Sequence, residues 1–331
     1  MKNFFYKLII WLRQFLTGSF YNHKNVWEAF PEFFDAILET SFPVPGLKKI
    51  ISLTDRNERQ RCNAMTPQGL TLTEDYLLIS AYCHDHQHRS IIYVLDRITG
   101  VRIKTVILPD LPHAGGLAYD PLHKKIWISN TAGKHAAVAT IALDDIEKYD
   151  KDPITIAYQQ KIVLKELPRA SALTYDQGYL YVALFTLNER GKFCCYPIDY
   201  QGNLETIVED TLVKSPFDTL NIPQKIQGVA IYKNLLLLSQ SWGKQSGKIF
   251  VFDINSTADF SNLDEALKII ETPPYLEQIY VDGDQLYALF ESGASAYRKK
   301  TPYVMKNVLQ ADLKKLLNET TNEAFLQSKS A

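Results

Sequence analysis

From residue 46 onward the chain alternates short apolar runs with brief polar turns, and the alternation repeats as a unit. Each unit opens on small or polar residues, runs through an apolar strand, turns, and returns in a second apolar strand ending in polar residues. Five copies align: PQGLTLTEDYLLISAYC from Pro67, AGGLAYDPLHKKIWISNT from Ala114, ASALTYDQGYLYVALFT from Ala170, IQGVAIYKNLLLLSQSW from Ile226 and LEQIYVDGDQLYALFES from Leu276. A third strand follows each copy (SIIYVLDR, AVATIAL, KFCCYPID, KIFVFDI, SAYRKK), and a fourth follows most of them (RIKTVILP, TIAYQQKIVL, ETIVED, ALKIIETP). Four strands in a unit of about 50 residues is the arithmetic of a propeller blade. The pattern predicts an all-β fold, a single β-propeller of five four-stranded blades, with six as the alternative count. No fourth strand follows the last copy, so LKKIISLT at residues 47–54 is expected to close the ring by pairing with residues 295–299.

The flanks carry a different period. Residues 2–17, KNFFYKLIIWLRQFLT, place Lys2, Lys7, Arg13 and Gln14 on one side of a helix and Phe4, Phe5, Leu8, Trp11, Leu12 and Phe15 on the other. Lys7 and Arg13 leave too short an apolar run for a secretion signal or a spanning helix. A cationic helix with Trp, Phe and Leu on its apolar face suits a membrane surface; packing on the propeller is the alternative. A second amphipathic stretch, VWEAFPEFFDAILETSF, leads to Pro43 and Pro45 as a linker. In the tail, Val308, Leu309, Leu313, Leu316 and Leu317 recur at helical spacing. The expected division is residues 1–42 as a helical N-terminal segment and linker, 43–303 as the propeller, and 304–331 as a C-terminal helix and tail.

PQG with LLISAYC, PHAGGLAYD, RASALTYD, IQGVA with LLSQSWG, and PPYLEQI with LYALFESGASAYR together resemble a family of uncharacterised bacterial propeller proteins, many of them exported or membrane-attached. The resemblance spans roughly residues 63–300 and implies fold and location, membrane-associated or extracytoplasmic with cytoplasmic as the alternative, more than activity. More distantly the pattern is similar to lactonase, strictosidine-synthase and surface-layer propellers, whose metal ligands are not evident here.

Composition narrows the field. The 331 residues include 36 basic and 37 acidic side chains, so no basic field exists for nucleic acid. Cys62, Cys83, Cys194 and Cys195 lack repeated C-x-x-C spacing, which removes a zinc ribbon or a disulfide framework. There is no G-x-x-x-x-G-K-[ST], H-E-x-x-H or G-x-S-x-G, and no cofactor is implied.

In a propeller the innermost strands line the axis, and their first residues reach one mouth. The position before each copy gives Thr66, His113, Arg169, Lys225 and Tyr275; two further along lie Gln68, Gly115, Ser171, Gln227 and Glu277. Residues two apart share a face of a strand, so two stacked rings are expected. His113, Arg169 and Lys225 on consecutive blades would suit an anionic small molecule or an acidic glycan. The leading expectation is therefore a binding propeller at a membrane or cell surface. The alternatives are a hydrolase or lyase at the same mouth, with His113, Glu277 and Arg169 as catalytic candidates, and a protein-interaction scaffold. His84, His86 and His88 alternate in one turn and are the candidate metal ligands, against a solvated His-rich hairpin. Only Glu277 supplies a carboxylate to the rings, so no facing acid pair is expected. Trp242 is read as a sugar-stacking or blade-packing ring.

Overall fold

The structure, a computed structural model, describes residues 23–318 except 151–153, 166, 205–206, 209–210 and 215. The amphipathic segment 2–17 lies outside the described residues. No helix among the described residues is long and apolar enough to cross a membrane.

Five antiparallel sheets stand around one axis. Blade one is Met65–Leu72, Tyr76–Cys83, Ile91–Asp96 and Arg102–Ile107. Blade two is Leu117–Asp120, Lys125–Ala132, His135–Ala142 and Gln160–Leu164; blade three is Ala172–Asp176, Tyr179–Ala183, Gly191–Pro197 and Asp218–Ile222. Blade four is Ile226–Tyr232, Leu235–Gln240, Gly247–Asp253 and Lys268–Thr272. Blade five takes Leu276–Asp282, Gln285–Phe290 and Asn307–Asp312 from the end of the chain and Ile37–Pro43 from its beginning.

The core follows from this arrangement. Each blade is apolar on both faces, and the buried side chains fall into five clusters, one at each interface between consecutive blades. Leu70 and Leu77 of blade one meet Tyr287, Leu289 and Val308 of blade five in one of them. Five interfaces for five blades require a closed ring, and the innermost strands of neighbouring blades are in contact all the way round. Fully burying each large aliphatic or aromatic side chain contributes about 1.5–3 kcal/mol.

Closure differs from the sequence expectation in its parts. Ile37–Pro43 is the closing strand, and it pairs with Asn307–Asp312 from Ile37↔Ala311 to Pro43↔Asn307. Residues 47–54 instead contribute Ile50–Leu53 to a hairpin with Arg59–Cys62 outside the blades. SAYRKK, expected as the third strand, is a run of turns, and the tail sequence NVLQAD, expected to be helical, is that strand. The reason is visible in Asn307–Asp312. Val308, Leu309 and Ala311 are buried between sheets, and a short apolar run fits strand and helix periods equally. The helix is confined to Leu313–Leu317, opened by Asp312 accepting from the Lys315 amide and ended by left-handed Asn318. ETIVED also parts from its expected place. Ile207–Val208 pairs with Thr211–Lys214 on the outer edge of blade two, leaving Asp218–Ile222 to complete blade three. The blade strands thus run from Ile37 to Asp312, beyond the 43–303 expected.

The stretch expected as a second amphipathic helix and linker forms two short helices, His23–Ala29 and Pro31–Asp35, before the closing strand. Phe33 is fully buried against Phe290, with ring centroids 6.3 Å apart, and Phe30 meets Tyr303 at 5.1 Å. These rings fasten the N-terminal helices to blade five.

Candidate functional site

The third residue of each copy sets the geometry at the axis: Gly69, Gly116, Ala172, Gly228 and Gln278. Four are small, and the fifth fills the space they leave. A Cβ on Gly116 would stand 2.4 Å from the Leu173 amide, and one on Gly228 would stand 2.7 Å from the Gln278 Cα. Glycine is needed there because neighbouring strands approach so closely. Gln278, 1% exposed, spans the axis. Its Oε1 accepts from the amides of Leu70 and Leu117, each at 2.9 Å, and its Nε2 donates to the carbonyls of Leu117 and Leu173 at 2.7 and 2.9 Å. One side chain thereby ties blade five to blades one, two and three and satisfies all its own donors and acceptors.

Serines on the second strands repeat the theme between neighbours. Ser80 accepts from the Gly69 amide and donates to the Ala114 carbonyl; Ser239 donates to the Glu277 carbonyl.

Above the Gln278 bridge lies a cavity of about 410 Å³. Of the ten ring positions read from sequence, Gln68, His113, Gln227, Tyr275 and Glu277 line it. Thr66, Gly115, Arg169, Ser171 and Lys225 do not. Thr66 is fully buried and donates to the Ala64 carbonyl, Ser171 accepts from the Phe185 amide, and Arg169 lies exposed. The two-residue rule fails here because the backbone is not uniformly extended. Ala114, Lys225 and Tyr275 are left-handed at φ 51°, 63° and 65°. The strand registers also shift between Pro67 and Leu70, Ile226 and Gly228, and Leu276 and Ile279. Bulges of this kind re-aim side chains, and they carry Gln68, Gln227, Glu277 and Gln278.

The rings read from the sequence left out Glu291, which was expected one layer outward among the polar residues that end the second strands. It follows the second strand of blade five and faces Glu277, with which it shares a hydrogen bond. Both carboxyls are almost fully buried, 2% and 8% exposed. Burial is the main force raising Glu277 well above the ordinary carboxyl range; the Glu291 charge and the hydrogen bond to it add to the effect. Burial also pushes Glu291 up to about 8, opposed by hydrogen bonds from Gln68 and Glu277 and by the Lys300 charge. Glu277 therefore holds a proton toward Glu291, and the pair changes its proton count close to neutrality. A findable signal existed: Tyr82, Phe185, Ser241 and Glu291 occupy one position in the aligned copies, two beyond the second-strand residue that faces the axis.

The walls are aromatic. Tyr275 and Tyr297 lie with centroids 5.0 Å apart, Lys300 Nζ stands 5.1 Å over the Tyr297 ring, and Trp242, half exposed, leans toward Phe185 at 5.5 Å. His113 packs on Tyr82 at 4.1 Å. Its ring remains reachable from the mouth, yet the protein closing round it holds its pKa down to about 4, helped by the positive potential of His86, Arg169 and His84. His113 is therefore a neutral imidazole at physiological pH rather than one of three converging cations. Tyr82 Oη sits 3.0 Å from His84 Nδ1, and His84 abuts Tyr297. The three imidazoles of the 84–88 turn consequently do not converge: His84 faces the tyrosines, and His88 Nδ1 lies 3.4 Å from Cys83 Sγ.

A second cavity, of about 270 Å³, opens between blades three and four among Tyr181, Phe193, Leu236 and Phe260. It is mainly apolar, and its lining residues include no facing acid pair.

No protein-family model matches the chain, and neither does any curated protein. Among solved structures it is similar to the PQQ-bound aldose sugar dehydrogenase from Streptomyces coelicolor at 12% identity, over 81% of this chain and 99% of that one, with a TM-score of 0.44. It is also similar to a chain of a nidogen/laminin complex at 15% identity, over 73% and 84%, TM-score 0.42. The Dos1 propeller matches at 11% identity, over 73% and 56%, TM-score 0.37. Likeness at this level extends to fold and not to ligand. By its fold, the chain is a five-bladed, all-β propeller whose structural neighbours have varied functions.

Proposed function

We propose that this chain is a ligand-binding propeller whose axial cavity takes a polyhydroxylated, glycan-class small molecule. The observation that carries the reading is the buried Glu277–Glu291 pair at the base of an aromatic-walled cavity. Carboxyl, Gln68 and Gln227 groups present donors and acceptors for hydroxyls, and Tyr275, Tyr297 and Trp242 offer faces for the apolar side of a sugar ring. The volume falls in the roughly 300–1,000 Å³ range of small-molecule sites. Arg169 and Lys225 are not in the lining, so an anion would have to rely on Lys244 and Lys300, which stand there beside the two acids. Residues 2–17 would hold the propeller at a membrane surface.

A second reading, a hydrolase or lyase at the same mouth, draws on the shared proton. An acid and its conjugate base exchanging near pH 7 are suited to general acid–base work.

The test is calorimetry of the tag-free chain against neutral mono- and disaccharides and the corresponding uronic acids. Binding of a neutral sugar that weakens in Trp242→Ala and Glu291→Gln supports the reading. Preference for the uronic acid, lost on neutralising Lys244 or Lys300, replaces it with the anion reading. Turnover abolished in Glu277→Gln with binding retained establishes the enzyme.

A further inference from the structure

Outside the axial cavity, Cys62, Cys83 and His88 bring three donor atoms within 4.8 Å of one another, the one such group among the described residues. Cys62 Sγ and Cys83 Sγ lie 3.5 Å apart, and Cys83 Sγ lies 3.4 Å from His88 Nδ1. Two sulfurs around a tetrahedral ion at ~2.3 Å stand about 3.8 Å apart, and a sulfur and an imidazole nitrogen about 3.5 Å. A disulfide would need the sulfurs at about 2.0 Å. The spacing therefore matches shared coordination and not a covalent bond.

The surroundings agree. Cys62 accepts from the Ala64 amide at 3.4 Å, and Cys83 accepts from the amides of Gln87 and Asp85. N–H groups aimed at both sulfurs are the outer-shell support that thiolate ligands use. The cysteines are 1% and 2% exposed, and His88 Nε2 is closed off from solvent. Two thiolates and a neutral imidazole around a divalent ion give a complex of zero net charge, which such a buried place can hold.

We infer that Cys62, Cys83 and His88 form a zinc-class metal site that clamps the Arg59–Cys62 hairpin to the Cys83–His88 turn. Three protein ligands leave a fourth position for water or an exogenous ligand. The clamp matters to the mouth because His84, in the same turn, stands against Tyr297 of the cavity wall. It does not depend on what the cavity binds.

The experiment uses the full chain, stripped with chelator under reductant, then titrated with Zn²⁺ alone and with Co²⁺ as a spectroscopic probe. One ion per chain is expected, with a thiolate-to-cobalt charge-transfer band. Affinity should fall at least tenfold in Cys62→Ser and in His88→Asn, and the latter should keep the native melting profile in the absence of metal. No uptake by the stripped wild-type chain at equimolar metal would overturn the inference. So would uptake that both variants leave unchanged, or a Cys62–Cys83 disulfide whose reduction restores no binding.

Discussion

Gln68 Nε2 lies 2.9 Å from Glu291 Oε2, holding an amide of the first blade against an acid of the fifth at the seam where the ring closes. The donor favours the charged form of Glu291 and therefore leaves the proton of the pair on Glu277.

This gives a pH signature with a definite sign. Glu291 is raised from 4.5 to about 8 in the fold, so its contribution is complete below about pH 4.5 and is lost as pH rises through 8. His113, lowered from 6.5 to about 4, acts oppositely: the folded state gains stability as pH rises between those values, and nothing more above 6.5. Between about pH 6.5 and 8 the acid pair should dominate the two. The melting temperature of the wild type should decline there more than that of Glu291→Gln, as scanning fluorimetry across buffers would measure. Parallel profiles would show that the pair does not titrate in this window.

Gln278 should be the most costly polar side chain to remove. Gln278→Leu leaves the Leu70 and Leu117 amides and the Leu117 and Leu173 carbonyls without partners. At about 1–3 kcal/mol for each orphaned group, a loss of about 4 kcal/mol or more is expected in urea unfolding. Gln278→Glu can accept from both amides but, ionised, cannot donate to the carbonyls, so it should be strongly destabilised as well.

Glycine matters at the axis for lack of room. Gly116→Ala would push a methyl to 2.4 Å from backbone and should lower the melting temperature by several degrees. Gly133→Ala meets nothing within 4 Å and carries only the strain of φ 59°, about 1 kcal/mol. Equal shifts in the two variants would contradict the close approach of blades two and three.

Arg169→Ala and Lys225→Ala should leave sugar affinity within about twofold, whereas Trp242→Ala should weaken it tenfold, about 1.4 kcal/mol. Isothermal titration with the tightest neutral saccharide of the panel measures both. Arg169→Ala should also raise the His113 pKa, read from the imidazole proton shift in NMR, because one of the charges lowering it is gone.

Vesicles containing an anionic lipid should sediment with the full chain and not with a variant lacking residues 2–17, and added salt should weaken the association. Equal sedimentation of the two would assign that segment to the propeller itself.

The five copies were legible because each innermost and second strand keeps its period from Gly, Asp or Asn turn to turn. The closing strand was not. ILETSFP follows two aromatic helices without a break in pattern, and only the unfilled edge beside Asn307–Asp312 selects it. At the mouth, Glu277 and Glu291 each fall at an aligned position of the copies, but their pairing was not readable, because two acids fourteen positions apart meet only through the bulge and turn that aim them. Arg169 and Lys225 were expected in the lining from the alignment of the copies; Lys225 takes left-handed backbone at its strand entrance, and Arg169 lies exposed.

Blade five, built from Ile37–Pro43 and Asn307–Asp312, has a consequence during synthesis. The ring stays open until Asn307–Asp312 has left the ribosome, so Ile37–Pro43 must wait unpaired while four blades form. An unpaired strand and an open sheet edge are where chains associate wrongly. A domain-swapped dimer, exchanging only that strand, is the misfolded product this topology favours.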